Sequence, residues 1–341
     1  MPTKLSIGID LGTTHCALAA VNLEEEVARS SVFEIAQLVA RGALEQKVLL
    51  PSFVYFAHES EGALPLPWDE GRRFAVGEYA RTRGTESPGR VIASAKSWLS
   101  HSGVDRRAAL LPLGAPADLE KISPVEASFR YLDHLAETWR ATRPDAGELA
   151  DHEVVLTVPA SFDAAARDLT VEAAAAAGLE NVTLLEEPQA ALYAWIETAG
   201  ESFRQHLKPG DLVLVIDVGG GTTDFSVIAA AEREGALELH RVAVGDHILL
   251  GGDNMDLALA HRVGAKLAAD GKELDRWQLM SLTHACRSAK ERLLSDSSLE
   301  TVRITVPGRG SALLGSSLST ELTREEVQNT LVDGFFPRTA A

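Results

Sequence analysis

The chain has 341 residues, 45% of them apolar, and a formal net charge of −17. That is enough apolar material for a sizeable core, organised as two lobes. So acidic a balance disfavours nucleic acid or an anionic membrane as partner, since both need a basic face. The two cysteines, Cys16 and Cys286, make neither a disulfide framework nor a metal-ligand pattern, and His284-x-Cys286 reads as structural. Asp10 follows only a few apolar residues, so the start is no signal peptide. No run approaches the ~18–20 apolar residues that span a membrane. A reducing, cytoplasmic setting is the expectation.

In chain order, Leu5 to Ile9 reads as a strand, Asp10-Leu11-Gly12-Thr13-Thr14 as a turn, and Cys16 to Val21 as a strand again. Glu24 to Gly71 is the hardest stretch to place. Val32 to Val39 suits a strand or a short helix, because its periodicity does not decide. Leu49 to Phe56 is clearer, a strand introduced by Pro51-Ser52, and His58 to Arg73 reads as an exposed loop. Lys96 lies within Arg90 to Leu99, where the default for any single lysine is a solvated helix position. After a loop from Ser100 to Lys121, Ser123 (N-cap), Pro124 (N1) and Glu126 (N3) open a helix with a capping box. Val154 to Val158 is a strand; Asp163 to Ala177 is an alanine-rich helix ended by Gly178. Leu184 to Glu187 closes a strand, and a helix starts at Pro188, where an acidic neighbour is favoured electrostatically whatever its function.

The organising stretch is Asp217-Val218-Gly219-Gly220-Gly221-Thr222-Thr223-Asp224. It follows an apolar run, Leu212 to Ile216, that reads as a buried strand, and precedes another strand, Phe225 to Ala230. Three glycines remove the side chains that would hold off a large anion, so successive N–H groups can converge on phosphate oxygens. Thr222 and Thr223 add hydroxyls, and Asp217 stands where a carboxylate can hold a hydrated Mg²⁺ beside phosphates. The bland alternative is a flexible glycine hairpin. Against it stands the second copy at Asp10 to Thr14: two Asp-x-Gly…Thr-Thr hairpins facing each other would clamp a polyphosphate. This is not a Walker loop, since no Gly-Lys-Ser/Thr follows either turn. Further on, Leu237 to Val244 is a strand, Ala258 to Ala268 and Trp277 to Leu294 are helices, Val302 to Val306 is a strand, and Thr323…Glu326 caps a last helix.

From Ser6 to about Arg338 these motifs resemble the nucleotide-binding domain of the seventy-kilodalton heat-shock (DnaK-type) chaperones, within the actin, sugar-kinase and heat-shock ATPase superfamily. The resemblance implies an α/β, two-lobed actin-like ATPase fold, each lobe built on a mixed sheet with a phosphate-binding hairpin. Lobe I would span residues 1–208, with a subdomain inserted at about 24–122, and lobe II residues 209–341. ATP or ADP would lie on Gly12, Thr13, Thr14 and His15 of one hairpin and Gly219, Gly220, Gly221, Thr222 and Thr223 of the other. Asp10 and Asp217 would hold Mg²⁺ through water. Lys96 matches the family lysine that reaches the γ-phosphate; Glu187, Thr222 and Asp224 would orient the attacking water. Gly251 and Gly252, in Leu250-Gly251-Gly252-Asp253-Asn254-Met255-Asp256, would let backbone approach the nucleotide, and Lys290 would pack on the adenine. Pro159 and Arg167 match a proline switch and its arginine partner; on the residues alone they are a strand end and a surface charge. Co-chaperones and a nucleotide-exchange factor are the implied partners, client peptide being handled by a domain absent here.

The adenosine side departs from the family pattern. Arg287 stands where a ribose-contacting Glu is usual, Glu291 where an Arg often stacks on the base, and Leu294 in place of a hydrogen-bonding Ser. The family also continues beyond this chain with a glycine pair that closes over adenosine, so an incomplete second lobe and weak nucleotide binding are expected. Two other readings are a filament-forming bacterial actin homologue, which the Glu186-Glu187-Pro188 and Gly251-Gly252-Asp253 motifs also suit, and a small-molecule kinase. No segment supplies the acceptor site or base that a kinase needs. A catalytically impaired remnant is the fourth.

Overall fold

The computed structural model describes residues 4–26, 28–233, 235–246, 248–308 and 317–339; the extreme ends of the two expected lobes, 1–3 and 340–341, lie outside these. β1 (Leu5–Leu11) and β2 (His15–Asn22) make the first hairpin, with Asp10 opposite Ala17 and Leu11 opposite Cys16. β3 (Ser31–Val32) runs beside β2. The ambiguous stretch that follows is a strand, β4 (Ile35–Ala40), paired with β5 (Ala43–Lys47) around Gly42 at φ +74°. β6 (Leu50–Pro51) returns to β2, and β7 (Phe53–Phe56) then pairs with both β8 (Phe74–Val76) and β9 (Val91–Ala93). α1 (Glu78–Arg83) packs on that small sheet.

His58 to Arg73 is not the exposed loop the composition implies. Leu64 and Leu66 are buried with Phe53, Tyr55 and Tyr79, and Arg72 is buried between Asp69 and Glu137. Gly, Pro and charge mark irregular backbone correctly, but irregular backbone still supplies core side chains when a small sheet needs a lid.

α2 (Ala95–Leu99) is short, and α3 (Pro124–Thr142) begins as expected, Ser123 accepting from the Glu126 N–H at 3.0 Å. Only half of the capping box is made, because the Glu126 carboxylate accepts from Arg130 at 2.7 Å instead. β10 (Glu153–Val158) lies parallel to β1 and to β11 (Val182–Glu186), with α4 (Ala164–Ala176) between them in sequence and Gly178 at φ +83° just past its end. The sheet order is β11-β10-β1-β2-β3, a mixed sheet. Ile7, Ile9 and Leu11 alternate inward and pack with Val154, Leu156 and Val158 against Leu132, Trp139 and Leu169 of α3 and α4. Each such side chain, fully buried, contributes about 1.5–3 kcal/mol. The same alternation puts Gly8 and Asp10 of β1 and Thr157 of β10 on the opposite face.

α5 (Glu187–Ala199) and α6 (Phe203–His206) lead to the second hairpin, β12 (Leu212–Val218) with β13 (Thr223–Arg233), followed by β14 (Ala236–Val244). Asp217 is opposite Asp224 and Val218 opposite Thr223, the same offsets as in the first hairpin. Two expectations need correcting. This sheet is not mixed: its strands β12-β13-β14 are all antiparallel among the described residues. Nor is Leu212–Ile216 a buried strand, since Leu214 is 58% and Ile216 56% exposed. β12 is an edge strand covered on one face only: Leu192 and Leu207 pack with Ile228, Ala230 and Leu239, and Val213 and Val215 lean on that cluster. An unbroken apolar run reads as buried on both faces, but that requires a second covering layer.

α7 (Gly252–Ala269) and α8 (Arg276–Ser295) pack together, and α8 packs on β15 (Thr301–Val306), which pairs with β16 (Leu318–Thr323). α9 (Arg324–Phe335) closes this core and carries the full expected capping box, Thr323 and Glu326 exchanging bonds of 3.1 and 2.8 Å. No helix among the described residues is long and apolar enough to cross a membrane.

Candidate functional site

The two hairpins meet tip to tip. A Cβ on Gly220 would overlap the Thr14 side chain, and one on Gly221 would overlap Ser97 Oγ and come within 3.1 Å of the Thr13 methyl. The start of α7 is tied to the same tip: Gly252 N–H donates to Gly219 O at 3.0 Å and Asp253 N–H to Gly220 O at 2.7 Å. A Cβ on Gly251 would stand 2.6 Å from Gly219 O. Glycine is needed at these positions for close approach rather than for dihedral freedom. Beside the tips lies a cavity of about 480 Å³ that Asp10, Lys96, Thr157, Glu187, Asp217, residues 12–15, Gly219, Gly220 and Thr222 line, whereas Gly221 and Thr223 do not. A larger hollow of about 630 Å³ lies by Phe33 and Trp139, and none of the motif residues borders it.

Lys96 is 5% exposed and forms a buried ion pair with Glu187. It is therefore not a solvated helix lysine. Burial works against its ammonium, but Glu187 and Asp10 prevail and raise its pKa. Burial raises Glu187 in turn; Lys96 offsets part of this, while Asp10 and Asp217 add to it. Asp217 is raised by burial and by Asp224 and Asp10, with Lys96 opposing. One cation thus faces several converging carboxylates, an arrangement short of positive charge. Among the described residues no cluster of three or more His, Cys, Asp or Glu could ligate an ion directly.

The remaining motif residues divide. Thr222 donates to Asp224 at 2.9 Å, and Asp224 also accepts from Ser161. Thr223 is turned away, donating to Leu250 O at 2.7 Å. His15 and Pro159 line the cavity; burial, then Arg81, lowers the His15 pKa. Gly251, Gly252 and Lys290 are not on the cavity wall, and Lys290 is held by Asp256 at 2.7 Å. Arg167 pairs with Glu186 at 2.9 Å, and Glu186 pairs with Arg241 of β14 at 3.0 Å. The Pro159 turn is thereby tied to the second sheet, because Arg241 also donates to Ala160 O at 3.3 Å.

Several residues at the site carried no motif. Thr157 donates to Asp10 at 2.7 Å; its signal was the alternation of β10, which puts it on the Asp10 face. Ser97 Oγ is buried beside Gly221 with no hydrogen-bond partner among the described residues. Nothing in the sequence marks it, or Arg241, because their roles arise from contacts between distant segments.

Residues 70–341 match the family model for the Hsp70 protein. The chain belongs to the Hsp70 family. It is 33% identical to a chaperone protein HscA homolog of Methylococcus capsulatus over 96% of this chain and 48% of that protein. It is 35% identical to one of Methylibium petroleiphilum over 86% of this chain and 42% of the relative. For one of Bordetella pertussis the figures are 33%, 84% and 41%. The chain thus spans less than half the length of these curated relatives. The matched part is a chaperone-type nucleotide-binding domain with the α/β, actin-like ATPase architecture of Hsp70.

Proposed function

We propose that this Hsp70 domain binds Mg²⁺-ATP between its hairpins and hydrolyses it slowly, the nucleotide state setting how residues 1–208 and 209–341 close on each other. The carrying observation is the convergence of Asp10, Glu187 and Asp217 around Lys96, beside two turns where a Cβ on Gly12, Gly220 or Gly221 would clash. The backbone N–H groups of Gly12–His15 and Gly219–Thr222 would cradle the phosphates. Mg²⁺, held through water by Asp10 and Asp217, would neutralise phosphate oxygens. Lys96, released from Glu187, would offset charge developing on the γ-phosphoryl group. Glu187, Thr222 and Asp224 would orient the attacking water. The work is positioning and electrostatics, with no covalent intermediate.

The chain of Arg167, Glu186 and Arg241 would carry the nucleotide state from the Pro159 turn to the second sheet. Co-chaperones, a nucleotide-exchange factor and client peptide belong to this reading as partners, as does a cytoplasmic setting. Isothermal titration with Mg²⁺-ADP and Mg²⁺-ATP tests it. Binding is expected, lost in Asp217→Ala and with turnover lost in Lys96→Ala. A folded chain whose binding survives Asp217→Ala would place the ligand elsewhere.

A further inference from the structure

Beyond the hairpins the cleft is filled by the protein itself. Arg287 of α8 is paired with Asp253 and, at 2.6 Å, with Asp256. Its guanidinium also lies 5.3 Å from the ring centre of Phe53, on the small sheet of the first half. Asp253 in turn accepts from Ser94, which precedes α2 and sits at φ 56°. Two further bonds cross the same gap: Arg81 to Glu291 at 3.0 Å, and Ser281 to Thr85 O. The His284 ring is packed where a Cβ on Gly84 would be. The open cavity, by contrast, stops at the hairpins: Lys96 and Glu187 line it, but Arg287, Asp253 and Lys290 do not.

A guanidinium bound to two carboxylates and lying over an aromatic ring is hard to displace. An entering ribose or base would have to break these charge-assisted bonds and strip Asp253 of its guanidinium partner. The phosphate side is open by comparison: the hairpins border the cavity, and Lys96 on its wall is paired with one carboxylate, Glu187.

We propose that Arg287 makes this site a reader of short phosphate chains with their divalent cation, indifferent to the nucleoside. This rests on the reading above that phosphates bind at the hairpins. The same chemistry is carried by any nucleoside triphosphate and by inorganic tripolyphosphate.

Isothermal titration of the whole chain with Mg²⁺-tripolyphosphate, Mg²⁺-ATP, Mg²⁺-GTP and adenosine separates the sources. The first three bind within about fivefold of one another and adenosine gives no heat; Mg²⁺-ATP binding more than about thirtyfold tighter than Mg²⁺-tripolyphosphate overturns the proposal while leaving the phosphate reading intact. No binding by any phosphate to a chain shown folded by circular dichroism overturns both. Arg287→Ala vacates the nucleoside side, so preference for ATP over tripolyphosphate rises about tenfold. An unchanged ratio in the folded variant refutes the assignment to Arg287. If that variant does not fold, the wild-type ratio decides.

Discussion

Gly251 and Gly252 are adjacent, yet the structure predicts opposite outcomes for adding a methyl group to each. Gly251 has φ −163°, extended backbone that any residue adopts, so its requirement is purely steric. A Cβ there would stand 2.6 Å from Gly219 O, 2.7 Å from Gly220 O and 2.8 Å from the Gly220 carbonyl carbon, all backbone atoms that no rotamer change can move. Gly251→Ala must therefore push α7 off the hairpin and break the Gly252–Gly219 and Asp253–Gly220 hydrogen bonds. Two net hydrogen bonds at about 1 kcal/mol each, with at least about 1 kcal/mol for overpacking, give about 3 kcal/mol. Around Gly252 nothing lies closer than 3.6 Å to the same methyl, and the residue is the first of α7. Gly252→Ala is therefore neutral, or stabilising by up to about 1 kcal/mol. Hydrogen exchange at the Asp253 amide reads the difference directly. Gly251→Ala lowers protection about a hundredfold, since each 1.4 kcal/mol is about a factor of ten; Gly252→Ala leaves it unchanged. Equal protection in both variants would refute the docking of α7 on the hairpin.

Three further outcomes follow from burial. His284 is held by burial, then by Arg287, to a pKa of about 4 against an ordinary 6.5, so the unfolded state takes up the proton first as pH falls. Its contribution is complete above pH 6.5 and is lost toward pH 4, by roughly 3 kcal/mol in total. His284→Leu should remove about 1.4 kcal/mol per pH unit from the slope of urea stability in that window, and an unaltered slope would count against it. Asp256, 1% exposed between Arg287 and Lys290, should cost about 3–5 kcal/mol as Asp256→Ala; a loss below about 1 kcal/mol would mean solvent reaches that cluster. Leu214→Ser on the open face of β12 should change stability by less than about 0.5 kcal/mol. Ile228→Ser, within the cluster under α5 and wholly buried, should cost several-fold more. Equal costs in denaturant titrations would show that the β12 face is covered in solution.

Local chemistry was legible in the sequence because it is written in neighbouring residues. Both Asp-x-Gly…Thr-Thr hairpins form in the same register, the Thr323–Glu326 capping box closes, Gly178 ends its helix, and β10 and β11 lie close to where their apolar runs put them. The resemblance carried by those motifs is the family to which the chain belongs. Tertiary structure decided whatever depends on which distant surface arrives opposite. Lys96 reads as solvated until Glu187 faces it, and Leu64 and Leu66 read as loop until a small sheet needs covering. Leu214 and Ile216 read as core until their face is left bare. The substituted Arg287 reads as a lost contact until Asp253, Asp256 and Phe53 gather around it. Hydrogen bonds of turns and caps close within a few residues and leave a pattern in the chain. Desolvation, ion pairing and burial are properties of a place, and a place exists only once the chain has folded.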